Sequence, residues 1–128
     1  NKNISKDICK NIIGTYKRAS NIIEQESKSK KDAVLGHPES FLFKRDEEKN
    51  LYKKINEIHE YFLSTKKREN YEETLKILAE AKPITDNFFD NVIVNDENLD
   101  IKKNRLELLQ MFCKTYNNFI DFSKVEGT

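Results

Sequence analysis

Apolar residues along this chain recur at intervals of three and four, the spacing that gathers side chains on one face of an α-helix. Ile8, Cys9, Ile12, Ile13, Tyr16, Ala19, Ile22 and Ile23 form the first stripe and predict a helix over about 5–26, capped by Ser5. Leu51, Ile55, Ile58, Phe62 and Leu63 predict a second over about 47–65, opened by Asp46. Asn70 with Glu73 has the form of a capping box, and Tyr71, Leu75, Leu78 and Ala79 supply the inward face of a third helix. Pro83 suits the first residue of a helix, where a missing N–H costs nothing. A short fourth helix is therefore expected to carry Ile84, Phe88, Phe89 and Val92. Asn95-Asp96-Glu97-Asn98 breaks the pattern and caps a last helix over about 99–122 that turns Ile101, Leu108, Leu109, Phe112, Cys113, Tyr116, Phe119 and Ile120 inward. Residues 27–45 lack periodicity and contain Gly36 and Pro38, which predicts a long surface loop that tucks one or two of Phe41, Leu42 and Phe43 into the core. The expected architecture is all-α, a bundle of about five helices.

Three contacts follow from the pattern. Phe88, Phe89, Leu108, Leu109 and Phe112 are expected to form one core cluster between the last two helices. Arg105 is expected to tie the last helix to Asp90, a structural use of that arginine and its neighbour Asn104. Gly14, unfavourable inside a helix, is expected to mark a close approach of two helices.

Composition narrows the class. A chain of 128 residues makes one domain, 1–128. Thirteen aromatic residues (eight Phe, five Tyr) supply core volume despite 35% charged residues, and three Gly with two Pro are too few for a sandwich or barrel. No apolar run approaches the roughly 18 residues of a membrane span, and no signal-peptide pattern opens the chain, so a cytoplasmic protein is expected. The first residue is not Met and the chain starts within a helical pattern, as expected of a piece of a longer chain.

The net charge of +1 conceals an asymmetry. Residues 1–68 hold sixteen Lys and Arg against ten Asp and Glu, whereas residues 69–128 hold seven against twelve. A basic half of this kind points to a polyanionic partner. Candidate RNA-binding residues are Lys17, Arg18 and Asn21, which lie within one turn of each other on a face offset from the apolar stripe, and Lys28, Lys30 and Lys31 in the loop that follows. The cations would track phosphates while Asn21 hydrogen-bonds a base edge; Lys66, Lys67 and Arg68 form a second basic run. Tyr16 and Tyr52 are possible stacking rings, although core or rim packing suits them better. Catalytic and metal-binding patterns are missing. Cys9 and Cys113 are isolated within apolar stripes and read as buried hydrophobes, while His37 and His59 have no ligand at metal spacing. His59 reads as one of a solvated pair with Glu60, and no glycine-rich phosphate loop is present.

Several strings carry a resemblance. Pro83 is followed by Phe88-Phe89-Asp90-Asn91-Val92-Ile93-Val94, then by Asn104-Arg105-Leu106-Glu107-Leu108-Leu109 and Asp121-Phe122-Ser123. Upstream stand Lys17-Arg18-Ala19-Ser20-Asn21-Ile22-Ile23, Phe41-Leu42-Phe43 and Glu48-Lys49-Asn50-Leu51. In this order they resemble the C-terminal region of the β subunit of bacterial glycyl-tRNA synthetase, an anticodon-binding helical domain of the DALR type. The naming Asp-Ala-Leu-Arg string is mostly replaced here, by Tyr71-Glu72-Glu73-Thr74-Leu75-Lys76. The resemblance implies a domain that holds the anticodon region of glycine tRNA and does no bond chemistry itself. It further implies a parent enzyme that joins glycine to tRNA with ATP, as a complex of α and β subunits. A helical interaction domain that docks within the synthetase without touching RNA is the alternative.

Overall fold

Each apolar stripe folds as a helix, and the helices bury those stripes against one another. The computed structural model describes residues 2–27, 36–64 and 71–119. Among them are four α-helices, α1 (Lys2–Ser27), α2 (Asp46–Ser64), α3 (Tyr71–Asn91) and α4 (Leu99–Phe119), with one 3-10 turn at Ser40–Leu42. α3 and α4 each pack against both α1 and α2, so the order around the bundle is α1, α3, α2, α4. α1 and α4 are antiparallel: Tyr16 Oη donates to Asn117 Oδ1 at 3.0 Å near one end, and Lys102 Nζ pairs with Glu26 at 3.3 Å near the other. No helix among the described residues is long and apolar enough to cross a membrane.

The core takes Ile12 and Ala19 from α1, Leu51, Ile55, Ile58 and Phe62 from α2, Leu75, Leu78 and Phe88 from α3, and Leu108, Leu109, Phe112 and Tyr116 from α4. Phe43 joins it from the segment before α2, while Phe41 stays exposed. Tyr116 spans the centre, its ring 4.4 Å from that of Phe112 and its hydroxyl donating to the Leu78 carbonyl at 3.0 Å. That hydrogen bond removes the cost of burying the phenol.

The structure corrects the sequence reading of the bundle at several points. The third and fourth helices are one: α3 runs unbroken through Pro83. The apolar phase explains this, since Leu75, Leu78, Ala81, Thr85, Phe88 and Val92 are all buried at steps of three and four with no slip at the proline. Pro83 leaves the Ala79 carbonyl without its usual donor. Around it, Tyr116 reaches the Leu78 carbonyl and Thr85 Oγ1 donates to that of Ala81 at 2.7 Å. Second, Phe89 lies at the rim, half-buried, and its ring receives the Arg18 guanidinium 4.4 Å from the centroid, whereas Phe88 is fully buried. Third, Gly14 is exposed, with open space where a Cβ would stand, and marks no helix contact. Fourth, Asp46 is the first residue of α2 and Arg45 precedes it as the cap position. Ser5 lies inside α1, which starts at Lys2, so it does not cap that helix. Asn70 and Ile120, and the side chains of Ile8, Cys9, Tyr71 and Phe119, lie outside the described residues.

Two predictions follow from the core. Phe88→Ala should cost about 3–5 kcal/mol, the usual loss for a buried phenylalanine. Phe89→Ala should cost roughly 1–2 kcal/mol, from partial burial and one cation–π contact; equal losses in urea unfolding would contradict this placement. Burial also pushes the Cys113 thiol from its ordinary 9.0 up to about 12. Burial first, and then neighbouring Cys113, raise the Tyr116 phenol as well. Raised folded-state values mean that the unfolded chain ionises first. This contribution to stability is complete below pH 9 and is lost as pH climbs toward 12. The urea midpoint should therefore fall steadily above pH 9; a flat profile to pH 11 would show these groups to be solvated.

Candidate nucleic-acid interface

Residues 36–45 have few apolar side chains to hold them, yet they lie against α4, because α4 turns a polar row toward them. Asn104 is buried and grips Glu39 at both backbone groups, accepting from its N–H at 2.6 Å and donating to its carbonyl at 3.1 Å. One turn on, buried Glu107 accepts the Gly36 N–H at 2.8 Å. A Cβ on residue 36 would stand 3.3 Å from that carboxylate, so glycine permits the approach.

Between these two contacts lies Arg105, only 4% exposed. Its Nη2 donates to Glu48 Oε1 at 3.2 Å, and its Nη1 donates to the Ile93 carbonyl at 2.7 Å and lies 3.4 Å from Asp96 Oδ1. Nε stands 3.2 Å from Glu48 Oε2 but out of line for a hydrogen bond, so that contact is one of charge alone. Glu48 is fully buried, and its Oε1 also accepts the N–H groups of Lys44 and Arg45, both at 2.9 Å. As the third residue of α2 it caps the helix from within, in the manner of a capping-box glutamate. The structural use of Arg105 is thus as expected, but its partners are Glu48 and Asp96, with Asp90 exposed on α3. Asn98 caps α4, its Oδ1 accepting from Asp100 and Ile101.

Lys17, Arg18 and Asn21 are all exposed on α1. Arg18 is directed to the α3 side, over Phe89, which holds its guanidinium in place beside Lys17 and Asn21. Lys28, Lys30 and Lys31 lie outside the described residues, as do Lys66, Lys67 and Arg68. Tyr16 and Tyr52 are half-buried and pack against the core. The Tyr52 hydroxyl meets His37 Nε2 at 3.0 Å, and its ring stands edge-on to His37 and Phe43.

A second surface escapes the sequence reading. An open groove of about 440 Å³ runs between α2 and α4, closed at one side by Gly36 and His37. Asn56 and His59 line it from α2, and Gln110, Met111 and Lys114 from α4. His59 is therefore half-buried in a groove wall, not one of a solvated pair with Glu60. Each wall is visible in sequence as polar residues three or four apart, but only the packing of α2 on α4 brings them together.

Removing either partner of the buried pair strands the other's charge. Arg105→Ala and Glu48→Ala should each cost about 3–5 kcal/mol. The double variant should cost less than the sum of the two. A loss below about 1 kcal/mol for Arg105→Ala in urea unfolding would show that the pair does not organise the fold.

Comparison with known proteins agrees with this architecture. The model of the DALR anticodon binding domain matches residues 12–126. The glycine–tRNA ligase beta subunit of a Sulfurihydrogenibium species is 36% identical over 117 residues, 91% of this chain and 16% of that protein. That of Rickettsia prowazekii is 33% identical over 121 residues, 94% and 17% of the two chains, and that of Persephonella marina is 32% identical over 114 residues, 89% and 15%. The chain thus spans about a sixth of the length of these relatives. With a helical bundle held by buried Asn104 and Arg105 and a match from residue 12 to residue 126, the chain belongs to the DALR anticodon-binding domain family.

Proposed function

We propose that this chain binds the anticodon region of a glycine tRNA, as one domain of a glycine–tRNA ligase β subunit. The observation that carries the reading is the family match across residues 12–126, together with relatives named as glycine–tRNA ligase beta subunits. The parent enzyme would use ATP to join glycine to its tRNA in the cytoplasm, with an α subunit and the remainder of the β chain as partners. This domain would make no covalent bond; it would hold the tRNA so that the distant acceptor end reaches the reacting site.

The α1 surface suits a phosphate backbone. Lys17 and Asn21 are exposed one turn apart, and Arg18 is held beside them by Phe89. Lys28, Lys30 and Lys31 would extend the positive charge along the strand. Counterion release makes such contacts salt-dependent. Binding without RNA, by docking within the synthetase, has its own support in the exposed apolar side chains of Phe41, Ile93 and Leu99.

Titration of a glycine anticodon stem-loop at several salt concentrations separates the two. Affinity should fall with salt, and neutralising Lys28, Lys30 and Lys31 should flatten that dependence by about 0.7 in slope for each lost single-strand phosphate contact. Asn21→Ala should reduce discrimination between the glycine anticodon and a substituted one. Parent-like behaviour in all variants would move the surface off α1, and no salt-dependent binding at all would favour docking to protein.

A further inference from the structure

The α2–α4 groove has a chemistry of its own. Its lining is mixed, more apolar than polar, with Met111 from α4 and one amide side chain on each side, Asn56 from α2 and Gln110 from α4. A carboxamide offers a donor and an acceptor side by side, the pattern that base edges present. Two imidazole rings, His37 and His59, give flat surfaces. That of His37 is set in place by the Tyr52 hydroxyl at 3.0 Å and by an edge-on ring contact. Lys114 supplies an exposed cation at the groove. Exposed Lys49 and Lys53 precede Asn56 on its face of α2, and exposed Lys103 precedes Gln110 by two turns on α4. The volume of about 440 Å³ lies within the range of about 300–1,000 Å³ for small-ligand sites.

We infer that this groove seats one unstacked nucleotide, its base edge on Asn56 and Gln110 and its phosphate toward Lys114. Unpaired bases are read in this manner, by stacking on flat side chains and hydrogen bonding at their edges. The seat is separate from the α1 surface: Arg18 lies at the α1–α3 contact, the groove at the α2–α4 contact. Its side wall is preset, because Glu107 holds the Gly36 N–H and Asn104 clamps Glu39. The identification of the nucleotide as part of a tRNA rests on the function proposed above; a free mononucleotide has the same chemistry.

The test uses the 128-residue chain with two probes, a glycine anticodon stem-loop and each of the four nucleoside 5′-monophosphates. A mononucleotide at millimolar concentration should shift the NMR signals of the His37 and His59 rings. Asn56→Ala and Gln110→Ala should each weaken the stem-loop about tenfold and reorder the affinities of base-substituted loops. Lys114→Ala, at an exposed site where folding is not at stake, should weaken all loops alike and lower the salt dependence. If the parent binds the stem-loop and all three variants match it, the groove is no nucleotide seat while the tRNA reading stands. If mononucleotides shift the histidines but the stem-loop does not bind, the seat stands for a free nucleotide and the tRNA reading falls. If neither probe binds, both fall.

Discussion

A fully buried carboxylate and a buried guanidinium meet where three pieces of this fold converge. Glu48 caps α2 from inside its first turn, Arg105 projects from α4, and the linker carrying Ile93 and Asp96 closes around the arginine. Charges removed from water cost several kcal/mol each unless their hydrogen-bonding capacity is met. Here one carboxylate oxygen takes two backbone N–H groups and a guanidinium N–H, while the guanidinium finds a carbonyl and a second carboxylate; Glu48 Oε2 and Arg105 Nε face each other by charge alone. The arrangement adds little to net stability over an apolar contact of equal size. What it supplies is geometry: α2 can start at only one place relative to α4, and the residues before it are carried along.

The consequence is visible along α4. Residues 104–109 are buried all the way round the helix. A helix on the rim of a four-helix bundle normally buries one stripe and exposes the rest. Here Leu108 and Leu109 belong to the core, while Asn104, Arg105 and Glu107 are covered by the segment leading into α2. The partners of Asn104 and Glu107 are backbone groups of Glu39 and Gly36, in a segment that has no helix of its own beyond a 3-10 turn and would otherwise need water. The segment in turn sets His37 beside α2 and makes the groove a three-sided one.

The polar residues of α4 therefore divide by what they touch. Asn104 and Arg105 belong to the skeleton, although their type suggests nucleic-acid contact. Gln110 and Lys114, which no motif singles out, are the ones at the open groove. On α1, Arg18 lays one face of its guanidinium on Phe89 yet stays exposed, as Lys17 and Asn21 do.

From the sequence alone came the helical class, the helix limits to within a few residues except at Pro83, most of the core, and the family to which the chain belongs. These are properties of local spacing: a period of three and four marks a helix face wherever it occurs, and a string such as Asn104-Arg105-Leu106 is legible without coordinates. Pro83 shows where local reasoning fails. A proline's preference for a helix start is a local tendency, overruled when the apolar phase on either side continues, with Leu78 and Ala81 before it and Thr85 and Phe88 after it all buried. The partner of Arg105 lay still further from reach, because Glu48 is 57 residues away and Asp90 only 15. Spacing along a chain orders side chains on one helix but says nothing about which helices meet or at what level. Only the packing of α2 against α4 decided that pairing, and with it the cover over Asn104 and Glu107 and the groove between Asn56 and Gln110.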